Sequence, residues 1–389
     1  MRICRVTTVP FFLLHHLHDQ IQAAIGAGNE VILVSSNDPD AAKLEAIFAA
    51  KFHAIEIPRK ISLYADLLAL IRLYRFFRVS NFDIVHSATP KAGLLCAIAG
   101  LWAGVPVRLH TFTGQPWANL RGTVRWVAKL CDWLIVKLNT RCYTDSVSQR
   151  AFLAAEGIAS EGRLVVLGAG SLAGVDLQKF DSARFDKKAI KDELNLPEET
   201  KVIAFVGRVT RDKGVVELIT AFEQLRSSGM NVCLLLVGPF EPERDPLPEP
   251  IVRELLGNPH VRVIGYAQNP EKYLAVADLL CLPSYREGFG NVVIEAAAMG
   301  VPAVATQIVG LCDSVADGVT GILVAPRDAE ALVGALDTLL TDDGKRVKMA
   351  NEAKARATRL FDSKVVNALM LDEYKSLTGD REHGRLTRK

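Results

Sequence analysis

The chain has 389 residues, more than one ordinary hydrophobic core accommodates, so two domains are the natural expectation. With 49% hydrophobic and 23% charged residues it reads as a globular protein, and a net charge of +2 argues against nucleic acid as a partner of the chain as a whole. The seven cysteines (4, 96, 131, 142, 233, 281 and 312) contain no C-x-x-C pair, which excludes a zinc-finger pattern and fits reduced, buried thiols in a cytosolic enzyme.

Taken in order, residues 2–9 and 30–35 read as strands joined by a helix over 18–27. Strand-like runs follow at 52–57, 83–86 and 105–112, with helical periodicity over 63–79 and 91–103. The longest uncharged stretch, 92–107, carries three glycines and a proline and is too short for a bilayer span, and no leader-like segment opens the chain. The alternation ends near 164–167, and the looser stretch 168–185 reads as a linker. A second set of strands is expected at 201–206, 232–237, 261–265, 279–282, 303–305 and 322–324. The pattern predicts an α/β protein with two Rossmann-like, doubly wound parallel sheets, over 1–180 and 181–362, and a ligand cleft between them. A helix over 363–378 closes the pattern, and the polar tail 379–389 is expected to be flexible.

The most informative stretch is 283–295, PSYREGFGNVVIE. The apolar run 278–283 reads as a buried parallel strand, and 291–299 as a helix with Asn291 as its N-cap. Gly288 and Gly290 let the backbone approach a ligand, while the first helical turn offers unpaired N–H groups and a positive dipole end. Glu287 on the loop and Glu295 just over one turn into the helix flank that anion site. An anion site with two acids suits a ligand bearing both phosphates and hydroxyls, a nucleotide sugar. A strand–loop–helix with two solvated glutamates is the plainer alternative.

This run, extended to PSYREGFGNVVIEAAAMGVPAVAT and continued by Gly310 and Asp317-Gly318-x-x-Gly321, resembles the signature of the retaining glycosyltransferases of family 4. That family has the two-Rossmann, GT-B fold, and the resemblance covers nearly the whole chain. It implies a donor site at Gly207, Arg208, Lys213, Tyr266, Ala267, Glu287, Gly288, Phe289, Gly290, Asn291 and Glu295. Gly207-Arg208 and Lys213-Gly214 match the family's G-R-x-x-x-x-K-G, whose cations neutralise the donor diphosphate. Fixed cations stabilise the charge gathering on a leaving diphosphate, so no metal cofactor is expected. Glu295 would bind the ribose hydroxyls, and Glu287 the sugar hydroxyls and the oxocarbenium-like centre. The Gly265–Gln268 turn would hold the nucleobase through backbone groups, an ordinary βα turn being the alternative. The resemblance also implies that the last helix packs back across both halves.

In the first half the family pattern is less well kept. The position where the family carries a sugar-facing histidine is Thr113, before Gly114, and His110 lies three residues earlier. His110 is therefore a candidate for catalysis or a histidine of the core. In place of the family's glycine-rich first loop stands Thr7–Pro10, then Phe11-Phe12-Leu13-Leu14, His15 and His16, which suggests a lipid-linked acceptor. Lys91, at the start of a helix, suits an acceptor phosphate or is simply solvated.

Two other motifs carry rival readings. Asp38-Pro39-Asp40 is a literal D-x-D, the metal-binding pair of another glycosyltransferase fold, and reads here as a turn. The segment 164–174 follows a strand with G-x-G-x-x-x-G, but the helical periodicity a dinucleotide site needs is missing. The leading expectation is a transferase moving a sugar from a nucleotide sugar, UDP-linked or GDP-linked, to a polyprenyl-diphosphate-linked acceptor in bacterial surface-polysaccharide synthesis. A sugar-nucleotide epimerase of the same fold and an NAD-dependent oxidoreductase are the alternatives.

Charge is unevenly spread. From Arg59 to Lys129 ten basic residues face two acids, and all four tryptophans (102, 117, 126 and 133) fall in the first half. Basic and aromatic residues interleaved in this way predict peripheral attachment to an anionic membrane surface, on the inner face of the cytoplasmic membrane. Helices amphipathic only because they pack on the sheet are the alternative.

Overall fold

The computed structural model describes residues 1–243 and 245–386, with side chains as far as Gly379. The chain forms two compact units: Met1–Gly174 together with the segment from Ser363 onward, and Val175–Asp362.

Unit 1 is built on β1 (Arg2–Val6), β2 (Glu30–Ser35), β3 (Lys51–Ala54), β4 (Ile84–Ala88), β5 (Val107–Phe112), β6 (Arg141–Thr144) and β7 (Leu164–Val165). They form one sheet in the order β3-β2-β1-β4-β5-β6-β7, every pairing parallel. The helices are α1 (Pro10–His15), α2 (His18–Gly26), α3 (Ala41–Phe48), α4 (Leu63–Ser80), α5 (Pro90–Ala103), α6 (Gly122–Leu138) and α7 (Val147–Ala155). Layers on both faces explain why strands such as β4 are buried at every residue rather than at alternate ones.

Local departures from the sequence reading have local causes. The first strand stops at Val6, because Pro10 opens a short helix where a loop is expected, and Leu13 and Leu14 drive that helix into the core. Four-residue β6 carries too little pattern to be read from sequence, and α7 follows it directly, capped by the Ser146 hydroxyl on the Gln149 N–H. β7 has only two residues, and no helix opens at Gly170–Gly174, so the dinucleotide geometry is absent there.

Unit 2 comprises β8 (Lys201–Val206), β9 (Val232–Val237), β10 (Val261–Gly265), β11 (Leu279–Leu282), β12 (Ala303–Thr306) and β13 (Gly321–Val324), parallel throughout in the order β10-β9-β8-β11-β12-β13. Its helices are α8 (Lys187–Glu193), α9 (Val215–Ser227), α10 (Glu249–Gly257), α11 (Pro270–Leu274), α12 (Asn291–Ala298), α13 (Leu311–Ser314), α14 (Ala329–Thr341) and α15 (Asp343–Leu360). These strands match the sequence expectation closely, since continuous apolar runs bounded by turn residues are the plain signal of a parallel sheet.

The chain then returns to unit 1 in α16 (Ser363–Leu386). The helix passes the point where a flexible tail is expected, for no proline stops it after Thr378; residues 387–389 lie outside the described part. Met370 and Tyr374 pack onto Ile3, Ile84, Val107 and Leu109 of the sheet. Arg5 and His86 are buried beneath α16, and the Tyr374 hydroxyl bridges them, accepting from Arg5 Nη1 at 2.5 Å and lying 2.7 Å from His86 Nδ1. His86 Nε2 lies 2.8 Å from the Thr111 hydroxyl. Burial first, and then the Arg5 charge, hold the His86 imidazole well below its ordinary pKa, so it is neutral. Arg5 Nη1 also lies 2.6 Å from His86 Nδ1, so Tyr374→Phe removes one of two partners from each of these buried atoms. It is expected to lower stability by roughly 1–3 kcal/mol, read as a shift in the urea midpoint at unchanged slope. An unchanged midpoint would show that the hydroxyl is dispensable.

Candidate functional site

In unit 2 the expected donor residues gather at the carboxyl ends of the strands, where such sheets bind ligands. Gly207 and Arg208 follow β8, and a single 3-10 turn, Arg211–Lys213, leads to Gly214. Gly214 has φ 70°, and a methyl group there would overlap the Pro283 carbonyl oxygen. Only glycine therefore lets the start of α9 lie against the end of β11. That approach sets Lys213 Nζ 2.5 Å from Glu287 Oε1, with both side chains largely buried. The Ser284 hydroxyl donates to the same oxygen at 2.8 Å, and the Thr306 hydroxyl donates to the Ser284 carbonyl. Three strand ends, of β8, β11 and β12, thus fix one carboxylate.

Arg208 is tied to acids on either side. Its Nη1 lies 3.0 Å from Glu241 Oε2 and its Nη2 3.7 Å from Asp212 Oδ2. Burial raises the Asp212 pKa, but the Thr210 hydroxyl at 2.6 Å and the charges of Arg208, Lys213 and Arg286 outweigh it, so the carboxyl sits below its usual range. Ser284, Glu241 and Asp212 are missing from the sequence reading. Their signal is three-dimensional, since each meets its partner only where separate strand ends converge.

The loop after Glu287 differs in detail from expectation. Gly290, at φ 80°, is the N-cap, and Asn291 is the first helical residue. A methyl group at Gly290 would overlap the Leu311 side chain, so packing selects glycine there. Phe289 is buried and meets Phe361 edge-on at 5.2 Å between ring centres, so its ring anchors the loop from behind rather than facing a ligand. Tyr266 and Ala267 follow β10 at the same end of the sheet, and Tyr266 is well exposed.

Glu295 lies on α12. Its side chain keeps some exposure, yet its carboxyl is enclosed enough that burial raises its pKa to about 7, with Lys179 opposing and Glu271 adding to the shift. Glu271 is itself buried, with Lys179 Nζ 3.7 Å from its Oε2. The arrangement offers two fixed cations for phosphate oxygens and two carboxylates for hydroxyls.

Unit 1 treats its expected residues differently. His110 is buried, with Nδ1 3.0 Å from the Ser87 hydroxyl and its ring packed against Gly93 of α5, where a Cβ would overlap it. Burial lowers its pKa to about 3. It is a neutral histidine packed in the core. Lys91 donates to Asp66 Oδ1 at 2.9 Å and to the Lys60 carbonyl at 2.6 Å, so its charge is already neutralised. Thr113 and Gly114 follow β5, Thr113 partly exposed, and His15 and His16 sit exposed at the end of α1. The D-x-D is a turn: Asp38 Oδ1 accepts from the Asp40 N–H at 2.9 Å, and Asp40 pairs with Lys43 at 2.7 Å.

Two family models match the chain: "Glycosyl transferase 4-like domain" over residues 15–170 and "Glycosyl transferases group 1" over 186–356. The capsular polysaccharide biosynthesis glycosyltransferase CapM of Staphylococcus aureus is 32% identical over 352 residues, covering 90% of either chain. The UDP-Gal:alpha-D-GlcNAc-diphosphoundecaprenol alpha-1,3-galactosyltransferase of Escherichia coli is 27% identical over 73% of each chain. Among solved structures, Anabaena HepE in complex with UDP and glucose superposes with a TM-score of 0.80 at 19% identity, over 97% of this chain and 100% of that one.

The raised pKa of Glu295 has a stability consequence with a definite sign. The folded state holds this proton more tightly than the unfolded state, so ionisation costs stability as pH rises from about 4.5 to about 7 and the cost stays above that. Glu295→Gln removes the cost. It is expected to be more stable than the parent by roughly 1–3 kcal/mol at alkaline pH, with the gap closing toward acid pH in chemical denaturation. A gap independent of pH would contradict this.

Proposed function

The chain belongs to the group 1, family 4-type glycosyltransferases, and from that premise we propose that it is a retaining transferase acting on a UDP-sugar and a polyprenyl-diphosphate-linked saccharide in surface-polysaccharide synthesis. The observation that carries this reading is the Lys213–Glu287 pair set beside Arg208 at the strand ends of unit 2. A donor diphosphate offers Arg208 and Lys213 the same kind of partner that Glu241 and Glu287 now give them, and Glu287 is then released toward sugar hydroxyls. Glu295 accepts from the ribose. The printed substrates of the Escherichia coli relative, the capsule role of CapM and the UDP and glucose held by HepE all support the substrate classes.

In the chemical step the bond from the anomeric carbon to the diphosphate oxygen breaks, and a bond to the acceptor hydroxyl forms on the same face. The departing phosphate oxygen takes the acceptor proton, while Arg208 and Lys213 stabilise the charge it gathers. The reaction needs no metal on this reading. Arg208→Ala and Glu287→Ala are each expected to lower turnover about ten-fold or more in a radiolabelled transfer assay that continues in excess EDTA. Arg208→Ala should also weaken UDP itself in calorimetry. Full turnover in Glu287→Ala would sink the reading.

No helix among the described residues is long and apolar enough to cross a membrane. Unit 1 instead supports peripheral docking on the anionic inner face of the cytoplasmic membrane. α4 packs on α5 and α5 on α6, so the three form one layer. Trp126 of α6 is 65% exposed and Trp102 of α5 63%, and Val124, Val127 and Trp133 are exposed too. Arg121, Lys137, Arg72, Arg75 and Arg78 are exposed on the same helices or beside them.

The surface is smaller than the sequence implies. Trp117 is buried, donating from Nε1 to Asp132 Oδ2 at 2.7 Å, and Arg125 and Lys129 both pair with Glu156. Indoles favour the headgroup level, and each basic residue near an anionic surface contributes about 1 kcal/mol before screening. The full chain is expected to sediment with anionic vesicles at low salt, less as salt rises, and poorly with neutral vesicles. Replacing Trp102 and Trp126 together by serine should remove most of this binding; unchanged sedimentation would mean the basic face is merely solvated.

A further inference from the structure

Unit 1 carries a buried polar cluster that the donor site does not use. Gln115 follows β5 and Asp145 follows β6, and these strands are neighbours, with Phe112 opposite Thr144. Both residues therefore lie at the carboxyl end of the unit 1 sheet, beside Thr113 and Gly114.

Gln149, in the first turn of α7, holds the two together. Its Nε2 donates to Gln115 Oε1 at 3.1 Å, and its Oε1 accepts from the Asp145 N–H at 2.7 Å. The Asp145 carbonyl accepts from the Ser171 N–H at 2.6 Å, which fixes the turn from the other side. With this frame satisfied, one donor and one acceptor are left over. Gln115 Nε2 and Asp145 Oδ1 are buried and have no hydrogen-bond partner among the described residues, in side chains 3% and 5% exposed. Burial alone pushes the Asp145 carboxyl up to about 8. Orphaned buried polar groups lower stability, and each asks for an explanation. Here the fold gains nothing visible from the two left-over atoms themselves, although Gln115 Oε1 serves the frame by accepting from Gln149.

The chemistry narrows the occupant. An anion is disfavoured by Asp145 once its carboxyl ionises, a metal ion by the amide donor, and an apolar chain by both. A hydroxyl group donates and accepts at once, and a sugar ring presents several at fixed spacing. Thr113, partly exposed, and Val147, exposed, lie within two residues of Gln115 and Asp145 along the chain. We propose that Gln115 and Asp145 form a hydroxyl-recognition site for the acceptor's sugar ring, with Gln115 Nε2 donating to one hydroxyl and Asp145 Oδ1 exchanging a hydrogen bond with another. The inference rests on the reading of the chain as a sugar transferase whose acceptor binds unit 1, and it deepens that reading by naming the residues that select the acceptor. An acceptor lacking either hydroxyl would leave a buried group unpaired, so the site discriminates steeply against deoxy analogues.

The test uses the full chain and free sugars: glucose, galactose, N-acetylglucosamine, mannose and rhamnose, by saturation-transfer NMR with UDP present. UDP affinity is measured separately by calorimetry. At least one sugar is expected to bind the parent protein, and Gln115→Leu and Asp145→Leu should each weaken it about ten-fold or more while leaving UDP affinity unchanged. Asp145→Leu should at the same time raise the melting temperature, because it removes an unpaired buried group. That combination separates a recognition role from a structural one. If a leucine variant fails to fold, Asp145→Asn, which keeps the shape, decides. Equal sugar binding in parent and variants overturns the proposal, as does the absence of binding by any sugar to the parent. Sugar binding that depends on Asp145 without any UDP binding supports this site while overturning the donor reading.

Discussion

The proposed donor end of unit 2 depends on one close approach, the start of α9 against the Pro283 carbonyl at the end of β11. No side chain larger than hydrogen fits at Gly214, so the contact is bought with the backbone entropy of a glycine. In return a lysine from one strand end meets a glutamate from the next at 2.5 Å, in a largely buried place. At an exposed site such a pair would add little. Here each ion lacks water, and losing either one leaves the other costly to bury. The Ser284 hydroxyl and its Thr306 support make sense in that light, as fixtures for a carboxylate that must be held in one orientation.

Around this pair the site is charged beyond what stability favours. Arg208 lies between Glu241 and Asp212, Arg286 is 3.7 Å from Asp212, and Glu295 sits near Glu271 in a setting that resists ionisation. A fold selected for stability alone would fill such places with apolar side chains. Preorganised cations and acids are instead what a reaction with a departing diphosphate needs, because charges already in place do not have to reorganise when charge develops. The family relationship and this surplus of fixed charge point the same way.

Unit 1 distributes its polar groups by a different rule. Its histidines at 86 and 110 are consumed by packing, one under α16 with Arg5 and Tyr374, the other against Gly93. Both are neutral, and both explain why a histidine count is a poor guide to catalysis. The Gln115–Gln149–Asp145 frame is the contrary case: nothing in its sequence resembles a motif, yet it ends in two groups the fold leaves unpaired.

The sequence by itself determined the doubly wound parallel architecture, nearly every strand of unit 2, and the candidate donor residues Arg208, Lys213, Glu287 and Glu295. Continuous apolar runs and glycine-bounded turns are local signals, and the donor motif lies within short stretches of chain. Only the tertiary structure decided which groups meet. Residues far apart in sequence, such as Lys213 and Glu287 or Arg5 and Tyr374, become partners because parallel strands deliver their carboxyl ends or faces to one place. It likewise decided which side chains are withdrawn: Phe289, His110 and Trp117 look available in a linear reading but are buried. Burial is a property of neighbours supplied by other elements, and amino-acid spacing along one element does not encode it.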